Sequence, residues 1–443
     1  MLKIININKT IKSFKKKISV SSDKSLSIRW ALLAAQAVGK SRAYNLLNSE
    51  DVNSALIALK KLGVEVTKNK KYCEINGKGL NSFLYNNNTV INCQNSGTLS
   101  RLICGVLAKS TKSVILKGDQ SLSKRDFSRI IRPLNLFGIK TKSKKNKLPL
   151  KITGTNFLRP IEYDELIGSA QVKSCLLFCA LNTPGITKIR AVPSRDHTER
   201  LFKFLKLPIK IKREKKFDII KIKGDNQYNG FNYKIPGDIS SSAFFIVLTL
   251  LSKNSKLLIK NINVNKSRTG IIDILKKMNG KIKIKNKKIY KGEESADIEC
   301  KYSPNLKGIK INPKINSRAI DELPLIFCLV CAKAKGVSYA KKLGELRHKE
   351  QDRLKFVLKF LKMIGVKAIE KNNNLKIYGN PNLKLNGSYI VKNFMKDHRA
   401  FMLACIAALT LGGKSWSIHD ADSINTSFPN FISLIKSLGA KIH

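Results

Sequence analysis

One pattern recurs six times along the chain, and this repetition restricts the possible folds more than any other feature. An apolar helical string is followed by a short strand, a polar stretch, an amphipathic helix and a glycine. The apolar strings begin at Ala31 (ALLAAQAVGK), Leu102 (LICGVLAKS), Val172 (VKSCLLFCAL), Ala243 (AFFIVLTLLS), Leu323 (LPLIFCLVCA) and Ala400 (AFMLACIAAL). Their start-to-start spacings are 71, 70, 71, 80 and 77 residues. The amphipathic helices run to Gly63, Gly138, Gly280, Gly365 and Gly439, while the third ends at Pro208. Apolar residues at three- and four-residue spacing predict packed helices, and the glycines predict left-handed caps. SVILKG, KLLIKN and KSWSIH predict half-buried strands.

A single unit cannot cover both its helix and its sheet, so units must pack on one another. Three make a domain of ordinary size and six make two. The predicted class is α/β, with two similar domains hinged near Gly237, where Pro236-Gly237-Asp238 supplies turn chemistry. A cleft between two such lobes is a common ligand site.

Composition narrows the function. Lys and Arg number 84 against 30 Asp and Glu, a formal charge of +54. That balance is the footprint of a nucleic-acid binder. Here, however, the lysines are spread over the whole chain among Asn and Ile, with no separate basic tail, which reads as a solvated surface. A hydrophobic content of 43% excludes a disordered polycation. The apolar run at 243–251 falls short of the ~18–20 residues that span a bilayer. The basic N-terminus lacks the ~7–15-residue apolar core of a secretory signal, so a soluble cytoplasmic protein is expected. The pair Cys328-x-x-Cys331 has no second pair and no nearby His, so no metal site is expected. Gly39-Lys40-Ser41 and Gly413-Lys414-Ser415 imitate a phosphate-binding loop, but Ala34 and Ala408 stand where its earlier glycine belongs.

Polar residues cluster at the repeat junctions. Ser22-Asp23-Lys24-Ser25-Leu26-Ser27-Ile28-Arg29 follows a strand and opens a helix, which puts Ser25 and Arg29 on one face. Lys and Ser at a helix start, with an Arg one turn on, suit an oxyanion; an ordinary cap with a surface Arg is the plainer reading. Asn95-Ser96-Gly97-Thr98-Leu99-Ser100-Arg101 is a second such turn, where Gly97 lets a ligand approach the backbone. Gly118-Asp119-Gln120-Ser121-Leu122-Ser123-Lys124-Arg125, Ser169-Ala170-Gln171-Val172-Lys173 and Pro193-Ser194-Arg195-Asp196-His197-Thr198-Glu199-Arg200 add three more. In the second half, Asp321-Glu322 and Asp397-His398-Arg399 precede apolar helices. Arg347-His348-Lys349-Glu350-Gln351-Asp352-Arg353 puts six ionisable groups in seven positions. Such density can tune carboxylates and lysines for proton transfer near neutral pH; a solvated charged face is the alternative.

Taken together, the strings SDKSLSIR, NSGTLSR, GDQSLSKR, SAQVKS, PSRDHTER, PGDISSSAFF, IDELP, LRHKEQDR, DHR and TSFP resemble, in order and spacing, the 3-phosphoshikimate 1-carboxyvinyltransferase (EPSP synthase) family of enolpyruvyl transferases. The resemblance implies a two-domain inside-out α/β barrel of six βαβαββ-type repeats, three per domain. Residues 21–237 would form one domain and residues 1–20 plus 238–443 the other, with the active site in the interdomain cleft. Lys24, Ser25, Arg29, Ser169, Ala170, Gln171, Ser194, Asp321 and Lys349 would bind shikimate 3-phosphate. Lys24, Gly97, Arg125, Gln171, Arg353, His398 and Arg399 would bind phosphoenolpyruvate. Asp321, Glu350 and Lys24 would be catalytic, in an addition–elimination through a tetrahedral intermediate. No metal or organic cofactor is implied, and a monomer is expected. Two phosphates at about −1.5 to −2 each, with two carboxylates, bring roughly −5 to −6; the cations Lys24, Arg29, Arg125, Lys349, Arg353 and Arg399 match that charge.

Some residues depart from the family pattern. Thr426 stands where some relatives have Lys, and Asp126 where Pro is usual. The strings at 169–173 and 195–199 are similar to those of the glyphosate-tolerant class. The sister enzyme acting on UDP-N-acetylglucosamine usually carries a reactive Cys in the loop corresponding to 118–125, where this chain has none. A basic nucleic-acid-binding protein of related repeat fold is the rival from another class; salt-sensitive RNA retention that ignores shikimate 3-phosphate would identify it.

Overall fold

The computed structural model describes residues 4–443. The chain divides into two compact units. The N-proximal unit comprises Ser22–Ile235 and the short return Tyr290–Glu293. The C-proximal unit comprises the segment ending at Ser21, Pro236–Ile289 and Glu294–His443.

Three apolar helices are packed together within the N-proximal unit: Lys24–Gln36, Gly97–Val106 and Ala170–Leu181. Every residue from Leu26 to Gln36 is buried, which explains why this string carries no polar stripe. Gly105 permits the close approach of the second helix to the third. A Cβ there would lie 2.1 Å from the Cys175 carbonyl oxygen.

The strands of this unit form three four-stranded sheets on one plan, a parallel pair extended by two antiparallel strands. Thr89–Asn92 runs parallel to Val114–Lys117, which pairs antiparallel with Leu150–Thr153, and that strand with Lys140–Ser143. Glu162–Glu165, Ile186–Ala191, Asp218–Lys223 and Ile209–Arg213 repeat this order. In the remaining sheet Asn232–Lys234, from the far end of the unit, is the parallel partner of Val38–Tyr44.

The C-proximal unit also packs three buried helices together, Ile239–Leu251, Leu325–Lys333 and His398–Leu411. Lys15–Ile18 runs parallel to Lys256–Asn263, which pairs antiparallel with Glu293–Lys301. Gly336–Ala340, Asn374–Gly379 and Ala368–Lys371 form a second sheet. In the third, Ser388–Val391 runs parallel to Ser415–His419, whose other edge takes Ile4–Ile7. The backbones of Asn6 and His443 exchange two further hydrogen bonds.

Three details differ from the sequence reading. The first apolar string spans an element boundary, because its helix is Lys24–Gln36 and Val38 to Lys40 already belong to the strand Val38–Tyr44. The helix in LPLIFCLVCA starts only at Leu325. The left-handed cap expected at Gly280 falls on Asn279 (φ 68°), since Asn tolerates that region. Gly63, Gly138, Gly365 and Gly439 do take positive φ.

No helix among the described residues is long and apolar enough to cross a membrane. The nine cysteines are buried. Burial pushes the thiols of Cys93 and Cys175 up to about 12, so both stay protonated at neutral pH.

Candidate active site

In the N-proximal unit the predicted residues stand at helix starts. Asp23 caps the helix that begins at Lys24, accepting from the Leu26 amide at 2.9 Å. Lys24 Nζ is held 2.8 Å from Asp51 Oδ2, a carboxylate with only 5% side-chain exposure. One turn on, Arg29 is buried. Its Nε donates to Thr198 Oγ1 (2.9 Å), its Nη2 to Ser174 Oγ (2.8 Å) and its Nη1 to the Ser25 carbonyl (3.1 Å). Thr198 Oγ1 in turn donates to Ser174 Oγ at 2.8 Å. Two hydroxyls and a carbonyl thus fix the guanidinium plane.

Gly97 opens the next helix beneath two guanidiniums. A Cβ there would meet Arg125 Nη1 at 2.8 Å and Arg101 Nη1 at 2.9 Å. Arg125 Nη2 donates to Asn95 Oδ1 at 2.7 Å, and Asn95 Nδ2 donates to Asp119 Oδ2 at 2.7 Å. Arg101 donates to the Gly97 carbonyl and lies over the Phe127 ring. Ser169 caps the helix Ala170–Leu181, and Gln171 Nε2 donates to Thr98 Oγ1 at 3.2 Å. Ahead of this cap, the buried Glu165 carboxylate accepts from the amides of Ile167, Gly168 and Ser169. Burial pushes its pKa up despite these bonds. Ser194 Oγ is buried with no hydrogen-bond partner among the described residues.

The C-proximal unit gathers its residues into a chain of alternating charge. Glu350 Oε2 lies 2.7 Å from Arg353 Nη2. Arg353 Nε and Nη2 reach the Asp397 carboxylate at 2.9 and 3.2 Å, a bidentate pair of two fully buried groups. Burial lowers the pKa of Arg353, but Asp397 and Glu350 outweigh it and hold the group above the ordinary guanidinium value. Asp397 also caps the helix His398–Leu411 by accepting from the Arg399 amide at 3.0 Å. Arg399 Nη2 stands 3.5 Å from Asp321 Oδ2. Beside it, burial and then the charge of Asp321 push the Glu322 carboxyl up, while Arg399 and Arg268 pull it down without cancelling the rise. Arg268 is held by Asp238 (3.3 Å) and Ser240 (2.9 Å). His398 Nδ1 lies 3.3 Å from Thr426 Oγ1. Lys349 is half-buried just after the short turn Gly344–His348.

Within the N-proximal unit the described contacts join Arg29 to Ser25, Gly97 to Arg125 and Gln171 to Thr98, and within the C-proximal unit they join Glu350 to Arg353 and Arg399 to Asp321. Their anchoring partners carry no signal of that role in the sequence: Asp51, Thr198, Ser174, Asp397, Glu165 and the Arg268–Asp238 pair. Asp51 sits in the first turn of the helix Glu50–Lys61, where an acid normally signals only the helix dipole. Asp397 and Asp238 read as caps, which they are, and nothing in a cap signals its second role.

The chain is similar to known proteins over nearly its whole length. A family model described as EPSP synthase (3-phosphoshikimate 1-carboxyvinyltransferase) matches residues 8–435. The 3-phosphoshikimate 1-carboxyvinyltransferase of Zymomonas mobilis subsp. mobilis is 39% identical over 430 residues, covering 96% of this chain and 94% of that one. The protein of the same name from Thermodesulfovibrio yellowstonii is 39% identical over 436 residues, covering 98% and 99%. A solved EPSP synthase from Acinetobacter baumannii superposes with a TM-score of 0.85 at 33% identity, covering 99% of each chain.

Proposed function

The chain belongs to the EPSP synthase family, and from that premise we propose how its residues carry the reaction. The enzyme transfers the enolpyruvyl group of phosphoenolpyruvate to the 5-hydroxyl of shikimate 3-phosphate and releases phosphate, a step of aromatic amino acid biosynthesis. Our reading of the architecture is an inside-out α/β barrel of six βαβαββ-type repeats, and of the active site, one that draws on both units. The enzyme is further read as a cytoplasmic monomer without cofactor.

In this reading Lys24, Ser25, Arg29, Ser169, Ala170, Gln171, Ser194, Asp321 and Lys349 receive shikimate 3-phosphate. Lys24, Gly97, Arg125, Gln171, Arg353, His398 and Arg399 receive phosphoenolpyruvate. Asp321, assisted by Lys24, takes the proton of the 5-hydroxyl as its oxygen attacks the central carbon of phosphoenolpyruvate. Glu350 delivers a proton to the methylene carbon, giving a tetrahedral phosphoketal with a methyl group. The phosphate then leaves with the C–O bonding pair, the methyl returns a proton, and the enol double bond re-forms.

The observation that carries this allocation is the chain from the half-buried Glu350 through Arg353 to the fully buried Asp397. Arg353 Nη2 serves both carboxylates, and its Nη1 is buried with no hydrogen-bond partner among the described residues. A substrate carboxylate taking that guanidinium would face Glu350 and raise its affinity for a proton. Glu350 would then hold the proton at the stage that requires an acid. Phosphate release from phosphoenolpyruvate, measured with and without shikimate 3-phosphate, tests the function. Strong stimulation by the ester is expected, and its absence would overturn the reading.

A further inference from the structure

Four residues, Tyr290–Glu293, belong to the N-proximal unit although the rest of the two strands they end and begin does not. They form the tip of the hairpin between the strands Lys281–Tyr290 and Glu293–Lys301, and each makes its own contact. The Tyr290 ring packs edge-on against Tyr233, with centroids 5.7 Å apart. Lys291 Nζ donates to the Asn232 carbonyl and lies 5.2 Å from the centre of the Phe204 ring. The Gly292 carbonyl accepts from Arg200 Nη1 at 2.9 Å, and Gly292 takes a positive φ of 83°. Glu293 Oε1 meets His197 Nδ1 at 2.7 Å, with both side chains at most 2% exposed.

The contact at His197 matters because of the residue next to it in the chain. His197 is the first residue of the helix His197–Phe204, and the second is Thr198, whose hydroxyl holds Arg29 Nε and Ser174 Oγ. Glu293 therefore fixes the ring of His197, the start of the helix fixes the Thr198 hydroxyl, and that hydroxyl orients a buried guanidinium. A bidentate grip on a phosphate depends on the plane of the guanidinium, so a small rotation at Thr198 is felt by the ligand.

We propose that Glu293 and His197 are positioning residues that set Arg29 for the phosphate-bearing substrate, acting through Thr198. Neither touches the reacting atoms. The proposal rests on the assignment of Arg29 to shikimate 3-phosphate.

The test is steady-state kinetics on the full chain. Glu293→Ala is expected to raise the KM for shikimate 3-phosphate about tenfold, the size of a weakened charge-assisted hydrogen bond, with the KM for phosphoenolpyruvate moving less than about twofold. Glu293→Gln keeps an acceptor for the imidazole N–H and should recover most of the loss. In a Thr198→Val background, Glu293→Ala should add little, because the relay is already cut. Equal rises in both KM values, no recovery with Gln, or full additivity with Thr198→Val would each overturn the proposal. Should Glu293→Ala fail to fold, Lys291→Ala removes another anchor of the tip at a half-buried side chain. It should raise the shikimate 3-phosphate KM about twofold or more, and an unchanged value would overturn the proposal equally. Wild-type enzyme that releases no phosphate in response to shikimate 3-phosphate would instead refute the functional reading.

Discussion

Two arginines of one unit and three of the other have different described hydrogen-bond partners, although elsewhere in the N-proximal unit Arg42, Arg190, Arg200 and Arg213 do pair with carboxylates. In the N-proximal unit, the hydrogen bonds described for Arg29 and Arg125 run to hydroxyl, amide and carbonyl oxygens of Ser25, Ser174, Thr198, Asn95 and Ser121. In the C-proximal unit, Arg353, Arg399 and Arg268 rest on the carboxylates of Asp397, Glu350, Asp321 and Asp238. A guanidinium oriented by neutral oxygens keeps its charge for an incoming anion. One oriented by carboxylates is largely neutralised and holds those carboxylates ionised, so that an anion drawing on the guanidinium would raise their affinity for a proton. In the proposed reading, Arg29 serves mainly to orient a phosphate, and Arg353 serves both to bind an anion and to hold the proposed acid Glu350.

The largest effect that would separate the two roles is on turnover. Glu350→Gln should lower kcat by about 10²–10⁴-fold, the usual size of a general acid–base contribution, with both KM values little changed. A rise in KM matching the fall in kcat would argue against proton transfer by Glu350. The next effect is on stability. Asp397→Ala leaves Arg353 buried and half-paired, and denaturant titration should show a loss of about 3–5 kcal/mol. The corresponding change in the other unit, Thr198→Val, removes a neutral partner and should cost only about 1–3 kcal/mol. Equal losses at the two sites would erase the distinction.

The smallest effect concerns Glu322, whose carboxyl is pushed up chiefly by burial. An acid whose pKa is higher in the folded than in the unfolded chain weakens the fold as pH rises through the folded value. Glu322→Gln keeps the shape and removes the buried charge. Its Tm should exceed that of wild type at pH 8, and the advantage should shrink toward pH 5. A lower Tm at pH 8 would mean that the attraction of the Arg268 and Arg399 charges outweighs desolvation.

The repeated helices were legible because a stretch of helix buried on all sides is apolar on all sides, as Trp30 to Ala35 and Ala243 to Leu248 are. The clusters at helix starts were legible for a related reason. Asp23, Ser169 and Asp397 are caps, and cap chemistry is local in sequence. The partners that orient the charged groups were not legible. Arg29 and Thr198 are 169 residues apart, Arg353 and Asp397 are 44 apart, and only the folded chain brings them together. The hairpin tip at 290–293 was hidden for a different reason. Its sequence, YKGE, reads as an ordinary turn, and its contacts lie with residues 57 to 96 positions earlier.

Ile4–Ile7 pairs with Ser415–His419, and Asn6 with His443. About 400 residues of chain separate these two strands. During synthesis the earlier strand therefore waits, unpaired, until the later one has been read, while the N-proximal helices and sheets already have most of what they need. A chain halted before Ser415 would hold a strand that never finds its neighbour, leaving an open edge for chaperones or proteases to recognise.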